Sequence, residues 1–297
     1  MPSNETSALA IDIGGTKLAT GLVTDDGEVV ASATAPSRVD DGEALFSVLL
    51  ALVDAVGGNG EVRRLRGHGV TVCGVGCGGP MTAGGETVSP LNIPAWRDFP
   101  LRSRLAEATG LDTFVDNDAK ALALGEGWKG AAAGSENFIA MVVSTGVGGG
   151  VVLDGRLLDG AAGNAGHIGH VNVEPEGRTC SCGARGCLEA EASGTSIAAI
   201  TGRPAAEGGP EVAARTGRLV GRAVASVANL LDLRLAVVAG SVALGYGEPF
   251  FAAAQAELDA QARLAFSTGA RIVPAGLGAA GPLVGAAAVG WRGIGRL

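Results

Sequence analysis

The chain has 297 residues, 47% of them hydrophobic and 18% charged, with a formal net charge of -8. That length favours two domains with large buried cores, and the acidic balance argues against general attraction to nucleic acid phosphates or an anionic membrane. No apolar run reaches the length of a membrane span, the polar start MPSNETS lacks a signal peptide's apolar stretch, and five cysteines suit a reducing compartment better than a disulfide framework, so a cytoplasmic protein is expected.

In chain order, residues 8–33 carry apolar runs around a Gly-Gly-Thr loop, followed by a hairpin-type turn at Asp26-Gly27. Asp12-Ile13-Gly14-Gly15-Thr16-Lys17 thus ends a strand in a carboxylate, turns through two glycines and presents a hydroxyl and an ammonium. Glycines let backbone N–H groups approach a phosphate, and Asp12 can hold magnesium directly or through water. The competing reading is a tight hairpin that needs positive φ. A helix over Gly42–Val56 and a strand over Gly69–Gly76 follow, with His68 at the strand edge. Val75–Pro80 ends in small residues, Gly79 among them, that let a polar ligand approach the backbone. Cys73 and Cys77 read as buried apolar groups. Trp96, in the segment Leu91-Asn92-Ile93-Pro94-Ala95-Trp96, could pack on a sugar face or in the core. After a helix over Leu101–Thr109 and a strand over Thr113–Asp116, Asp116-Asn117-Asp118 lies where strand gives way to helix. There Asp118 could accept a hydroxyl proton and Asn117 orient a neighbouring hydroxyl, although Asn and Asp also favour helix caps.

Residues 138–158 repeat the opening pattern about 130 residues later, with Ser144-Thr145-Gly146-Val147-Gly148-Gly149-Gly150 in place of the first loop and Asp154-Gly155 as the turn. Two matched copies suggest an internal duplication. There is no GxxxxGK[ST] loop, and the second glycine run leads into a strand, which excludes a P-loop and argues against a dinucleotide fold. Two facing loops clamping one triphosphate are expected instead, Thr145 and Gly146 being the contacts from the second. Next come His167, His170, Cys180, Cys182 and Cys187. One imidazole, His170, and three thiols form a tetrahedral, closed ligand set of the structural zinc type. Helices near Ser193–Ile200 and Ala213–Leu231, a strand over Leu235–Ala239, a helix over Pro249–Leu264, a strand over Arg271–Val273 and a terminal helix with Pro282 in its first turn complete the reading. Gly240 and Ser241, after a buried strand, would seat an adenine or ribose. The expected domains are 1–117 with the terminal helix 281–297 folded back on them, and 118–280 with the zinc loop at 163–189.

DIGGTK, VDNDA, STGVGGG and GH-x9-CxCGxxGC, four motifs in order across nearly the whole chain, resemble those of the ROK family of sugar kinases and sugar-responsive repressors. The resemblance implies the actin-like, RNase H-like sugar-kinase fold of two α/β domains around a cleft. It also implies ATP and magnesium as cofactors, a structural zinc, and a homodimer or homotetramer. Carried over residue by residue, it makes Asp118 the catalytic base. Gly79, Asn92, Asn117, Asp118, His167, His170 and Glu189 become the sugar contacts, and Asp12, Gly14, Gly15, Thr16, Lys17, Thr145, Gly146, Gly240 and Ser241 the nucleotide contacts. One departure stands out: most members carry Glu where this chain has His167. The AGHIGH form is similar to bacterial N-acetylmannosamine kinases, so phosphorylation of the C6 hydroxyl of N-acetyl-D-mannosamine is expected, with glucose as the alternative. A repressor is disfavoured, because those members add an N-terminal DNA-binding domain and only seven residues precede the first strand here.

Overall fold

The computed structural model describes residues 6–38, 41–57 and 69–297. His68 and the first five residues, on which two of the expectations above fall, lie outside the described residues. The chain divides into two compact units. One comprises residues 1–129, 161–163 and 279–297, the other residues 130–160 and 164–278.

The first unit contains β1 (Ser7–Ile13), β2 (Lys17–Thr24), β3 (Val29–Pro36), α1 (Gly42–Gly57), β4 (Val70–Cys77), α2 (Leu101–Thr109), β5 (Thr113–Asn117) and α3 (Asp118–Lys129). Its sheet has the order β3-β2-β1-β4-β5, with β1, β4 and β5 parallel and the hairpin strands antiparallel. Central β1 is buried along almost its whole length, as expected for a strand covered on both faces. Edge strand β3 alternates half-buried and exposed positions, the mark of one solvated face. Trp96 belongs to the core: it is fully buried, stacks on Phe99 at 4.5 Å and donates its Nε1–H to Gly42 O at 3.0 Å. It offers no face to a sugar.

The second unit contains β6 (Phe138–Val143), β7 (Val147–Leu153), β8 (Arg156–Leu157), α4 (Leu188–Ala192), α5 (Gly194–Thr201), α6 (Pro210–Leu231), β9 (Leu235–Ala239), α7 (Ser241–Tyr246), α8 (Glu248–Gln261) and β10 (Arg271–Pro274). Its order, β10-β9-β6-β7-β8, is the first unit's order read from the other edge, with the same parallel and antiparallel partners. The repeated hairpin therefore extends to a repeated sheet. Asp154 and Gly155 both have positive φ, at 51° and 71°, as a two-residue type I′ turn requires. The helix expected near Ser193–Ile200 is α5, capped by the Ser193 hydroxyl on Ser196 N–H, and the short α4 precedes it, ending where Ser193 turns extended.

The last helix, α9 (Gly281–Gly293), returns to the first unit. Its Gly290 and Gly285 permit backbone-to-backbone packing. A Cβ on Gly74 of β4 would stand 2.0 Å from Ala286 O, and one on Gly285 would stand 2.6 Å from Ala121 O of α3. That close packing of α3 on α9 places α3 in the first unit, so the crossing expected after Asn117 falls after Lys129 instead. The segment 161–163 also belongs to the first unit, where Gly163 O accepts from Lys120 Nζ at 3.2 Å. The metal loop's share of the second unit accordingly begins at Asn164 rather than at residue 163.

Candidate active site

In the first unit, three parallel strands end side by side. Asp12, Gly76 and Asp116 are in register, as are Ile13, Cys77 and Asn117 one residue further on. Gly76 lies between Asp12 and Asp118: a Cβ there would be in ordinary contact with Asp12 Oδ1 at 3.8 Å and Asp118 Cα at 3.7 Å. The two carboxylates named in the sequence thus sit on either side of one glycine. Burial, and next the Asp118 charge, push the Asp12 carboxyl up to about 7, with the Lys17 ammonium opposing. The buried Cys77 thiol is likewise raised, first by burial and then by Asp118 and Asp12.

The expected sugar contacts of this unit gather around the same strand ends. Gly79 lies beside Asn117 Nδ2, a Cβ on it being 3.8 Å away, and its carbonyl accepts from Leu91 N–H at 3.2 Å. Asn92, one residue later, packs on the first glycine loop so closely that a Cβ on Gly15 would be 2.5 Å from Asn92 Cβ. Gly14 N–H closes the loop on Lys17 O at 3.0 Å, while Thr16 and Lys17 are exposed. Of the three residues at the β5–α3 junction, Asn117 Oδ1 accepts Ala119 N–H at 3.0 Å, which is capping geometry, and Asp118 Oδ1 lies 2.9 Å from the same N–H, its immediate neighbour. Asp116 instead pairs with Lys120 at 3.0 Å and Arg292 at 3.6 Å. It is a structural carboxylate, and Asp118 is the exposed one.

The second unit presents the other glycine loop. Ser144 N–H bonds Gly146 O at 2.9 Å, closing the turn between β6 and β7. Ser144 Oγ lies 2.9 Å from Ser241 Oγ at the start of α7, so the two expected nucleotide segments of this unit, Thr145-Gly146 and Gly240-Ser241, are neighbours. Gly240 has φ 101°, and a Cβ on it would stand 2.3 Å from Val143 O, which restricts the position to glycine.

His170, Cys180, Cys182 and Cys187 bring their ligand atoms within 4.8 Å of one another. Cys182 Sγ and Cys187 Sγ are 3.7 Å apart, and Cys180 Sγ is 3.7 Å from His170 Nδ1. Tetrahedral zinc with Zn–S bonds of about 2.3 Å needs sulfurs about 3.8 Å apart, so this donor set fits the ion in both chemistry and size. The turn is preformed: Cys180 N–H donates to Ala184 O at 2.7 Å, and Gly186, at φ 76°, lies against Glu174 O. With Nδ1 facing the thiols, His170 turns its other ring nitrogen away from them. His167 is exposed, its ring centroid 6.0 Å from that of His170.

Sequence reasoning missed what holds this segment. Gly166 and Gly169 seat the His167–His170 turn on β7, since a Cβ on either would stand 2.4 Å from Gly149 O or 2.3 Å from Val147 O. Buried Glu191 accepts Arg178 N–H at 2.6 Å and Arg215 Nη2 at 2.6 Å, tying the metal loop to α6. Glu189, expected at the sugar, accepts Val147 N–H on Oε2 at 2.9 Å. The doublet of small residues GxxG was a visible sign of the first contact; nothing in the sequence signalled the others.

Known proteins resemble this chain over much of its length. A glucokinase of Halalkalibacterium halodurans is 43% identical over 199 residues, 65% of this chain and 58% of its own length. An N-acetylmannosamine kinase of Citrobacter koseri is 38% identical over 257 residues, 81% of this chain and 85% of its own. The crystal structure of a ROK family glucokinase from Streptomyces griseus in complex with glucose and AMPPNP superposes with a TM-score of 0.79 at 27% identity, covering 96% of this chain and 99% of that one. The paired sheets are thus those of the actin-like sugar-kinase fold, and among the described residues no helix is long and apolar enough to cross a membrane. Because the ROK family model matches residues 8–291, nearly all of the architecture described above, the chain belongs to the ROK family.

Proposed function

We propose that this chain transfers the γ-phosphoryl group of ATP to the C6 hydroxyl of an amino sugar, N-acetyl-D-mannosamine in the first place. The observation that carries the substrate is His167, an exposed imidazole beside His170 on a turn that a thiol cluster stabilises. A carboxylate only accepts hydrogen bonds, whereas an imidazole can donate to the carbonyl of a C2 acetamido group. The N-acetylmannosamine kinase likeness over 81% of the chain supports the same choice.

The roles follow unit by unit. Asp118 takes the hydroxyl proton as the C6 oxygen attacks the γ-phosphorus and ADP leaves, while Asn92, Asn117 and the Gly79 backbone orient sugar hydroxyls. His167, His170 and Glu189 grip the C1–C2 side. Phosphoryl transfer depends mainly on positioning and charge stabilisation, which the amides of both glycine loops and Lys17 supply. Asp12 fits a magnesium site, because a largely buried carboxylate raised to about 7 beside a second carboxylate is relieved by a cation, and an ion there would supply charge neutralisation to the triphosphate. The His170, Cys180, Cys182 and Cys187 set would hold zinc through four protein ligands, and that metal would fix the turn. Glucose is the second reading, favoured by the 43% identity to a glucokinase.

A coupled ADP-release assay on N-acetylmannosamine, glucose, N-acetylglucosamine and mannose tests the proposal. N-acetylmannosamine is expected to give the highest kcat/KM, and His167→Glu to shift preference toward glucose. Highest activity on glucose in the parent, with no shift in the variant, removes the amino-sugar assignment.

A further inference from the structure

We infer that Glu189 is a positioning residue for the nucleotide, acting through the second glycine loop. The inference rests on the kinase reading above. Glu189 sits at the start of α4, and its Oε2 accepts the N–H of Val147, where β7 leaves the loop, at 2.9 Å. The same oxygen would be 2.8 Å from a Cβ on Gly146, so the carboxylate lies flat against a loop that glycine alone leaves room for.

Other bonds to the loop come from the segment just downstream. Gly194 N–H donates to Ser144 O at 2.7 Å, and Thr195 donates to Thr145 O through N–H at 3.3 Å and Oγ1 at 3.0 Å. The carbonyls of Ser144 and Thr145 are therefore turned toward the start of α5 and satisfied there. Gly146 O is occupied by Ser144 N–H. Among the described residues, the N–H groups of Thr145 and Gly146 take no protein acceptor. Carbonyls drawn inward and successive amides left outward make an anion-binding concavity. Four bonds from residues 189–195 fix that arrangement, and Glu189 supplies the one at the loop's far end.

A carboxylate so close to a phosphate site repels the ligand through its charge, so its bond to the loop must contribute more than that repulsion costs. The two contributions are separable, because Gln keeps an acceptor oxygen without the charge.

The test is calorimetric titration of magnesium-AMPPNP, without sugar, into the zinc-loaded parent and the variants Glu189→Ala, Glu189→Gln and Thr195→Val. Glu189→Ala is expected to weaken binding about tenfold, the loss typical of a charged hydrogen bond. Glu189→Gln should restore most of it, and Thr195→Val, which removes one neutral bond, should weaken binding about threefold. Zinc content and Tm are measured on each. Should the alanine variant shed its metal or unfold, Thr195→Val decides: weaker binding at full zinc supports the clamp, and unchanged binding overturns it. Alanine and valine variants that bind AMPPNP as tightly as the parent, or more tightly, overturn the inference alone. A parent that does not bind AMPPNP overturns the kinase reading itself.

Discussion

The two glycine loops occupy equivalent places in equivalent sheets, yet they are built on opposite electrostatic plans. The first, Asp12–Lys17, carries its own charges: a carboxyl raised to about 7 at the strand end and an exposed ammonium one turn later. A neutral amide residue, Asn92, packs against it. The second, Ser144–Val147, has no charged residue, its preceding strand ends in buried Val143, and a charged partner, Glu189, reaches it from another element. The strand order is the same in the two units while the side-chain charges of the two loops differ. The first loop is suited to a cation and the protons around it, the second to direct amide contact with phosphate oxygens.

The comparison can be broken most severely at Asp118, the neighbour of the charged loop. Asp118→Asn keeps an oxygen beside Ala119 N–H but loses the base, so kcat should fall by about 10²–10⁴-fold while sugar binding by calorimetry persists. Near-parental turnover would remove Asp118 from the chemistry. A smaller effect separates the two units. Cys182→Ser, or chelation, should deplete zinc and raise the sugar KM by roughly tenfold, in the range that altered metal-site support produces. Hydrogen exchange should increase over residues 164–195 and stay unchanged over 8–24, since the first loop takes none of its support from the thiol cluster. Equal loosening of both loops, or full metal loss with unchanged KM, would contradict this division.

The smallest effect concerns Asp12 in the protein without metal or nucleotide. Its folded pKa, about 7, lies above that of an exposed aspartate, so the folded state binds this proton more readily than the unfolded one. Its contribution to stability is complete below about pH 4 and is lost as pH rises through about 7. Asp12→Asn, which cannot ionise, should match the parent near pH 4 and exceed it by about 1–3 kcal/mol at pH 8, a range discounted for the group's partial exposure. Thermal melts across pH check this, and parallel curves for parent and variant would show that Asp12 does not titrate there.

Both hairpins were legible because their signals are local. Asp26-Gly27 and Asp154-Gly155 meet backbone demands within two residues, Gly27 at φ 91° and Gly155 at φ 71°, and the apolar runs beside them must be buried. The metal set was legible for the same reason, with three ligands falling between Cys180 and Cys187. What escaped the sequence depends on distant partners. Asp116 reads like Asp118 until α9 delivers Arg292 to it. Glu191 has no sign of importance until α6 brings Arg215. Trp96 looks available to a sugar until Phe99 and Gly42 enclose it. The unit boundary was misplaced by one helix because glycine contacts between α3 and α9 have no periodic signature.

Those glycine contacts also bear on how the chain is made. Strand β4 cannot be covered until α9 exists, for Gly74 accepts the backbone of Ala286 where any side chain would block it. During synthesis residues 130–278 emerge before that helix does, so the later half has all its strands while the earlier half still lacks a wall. Domains generally fold as units as they leave the ribosome. In this protein the N-terminal half is begun first and completed last.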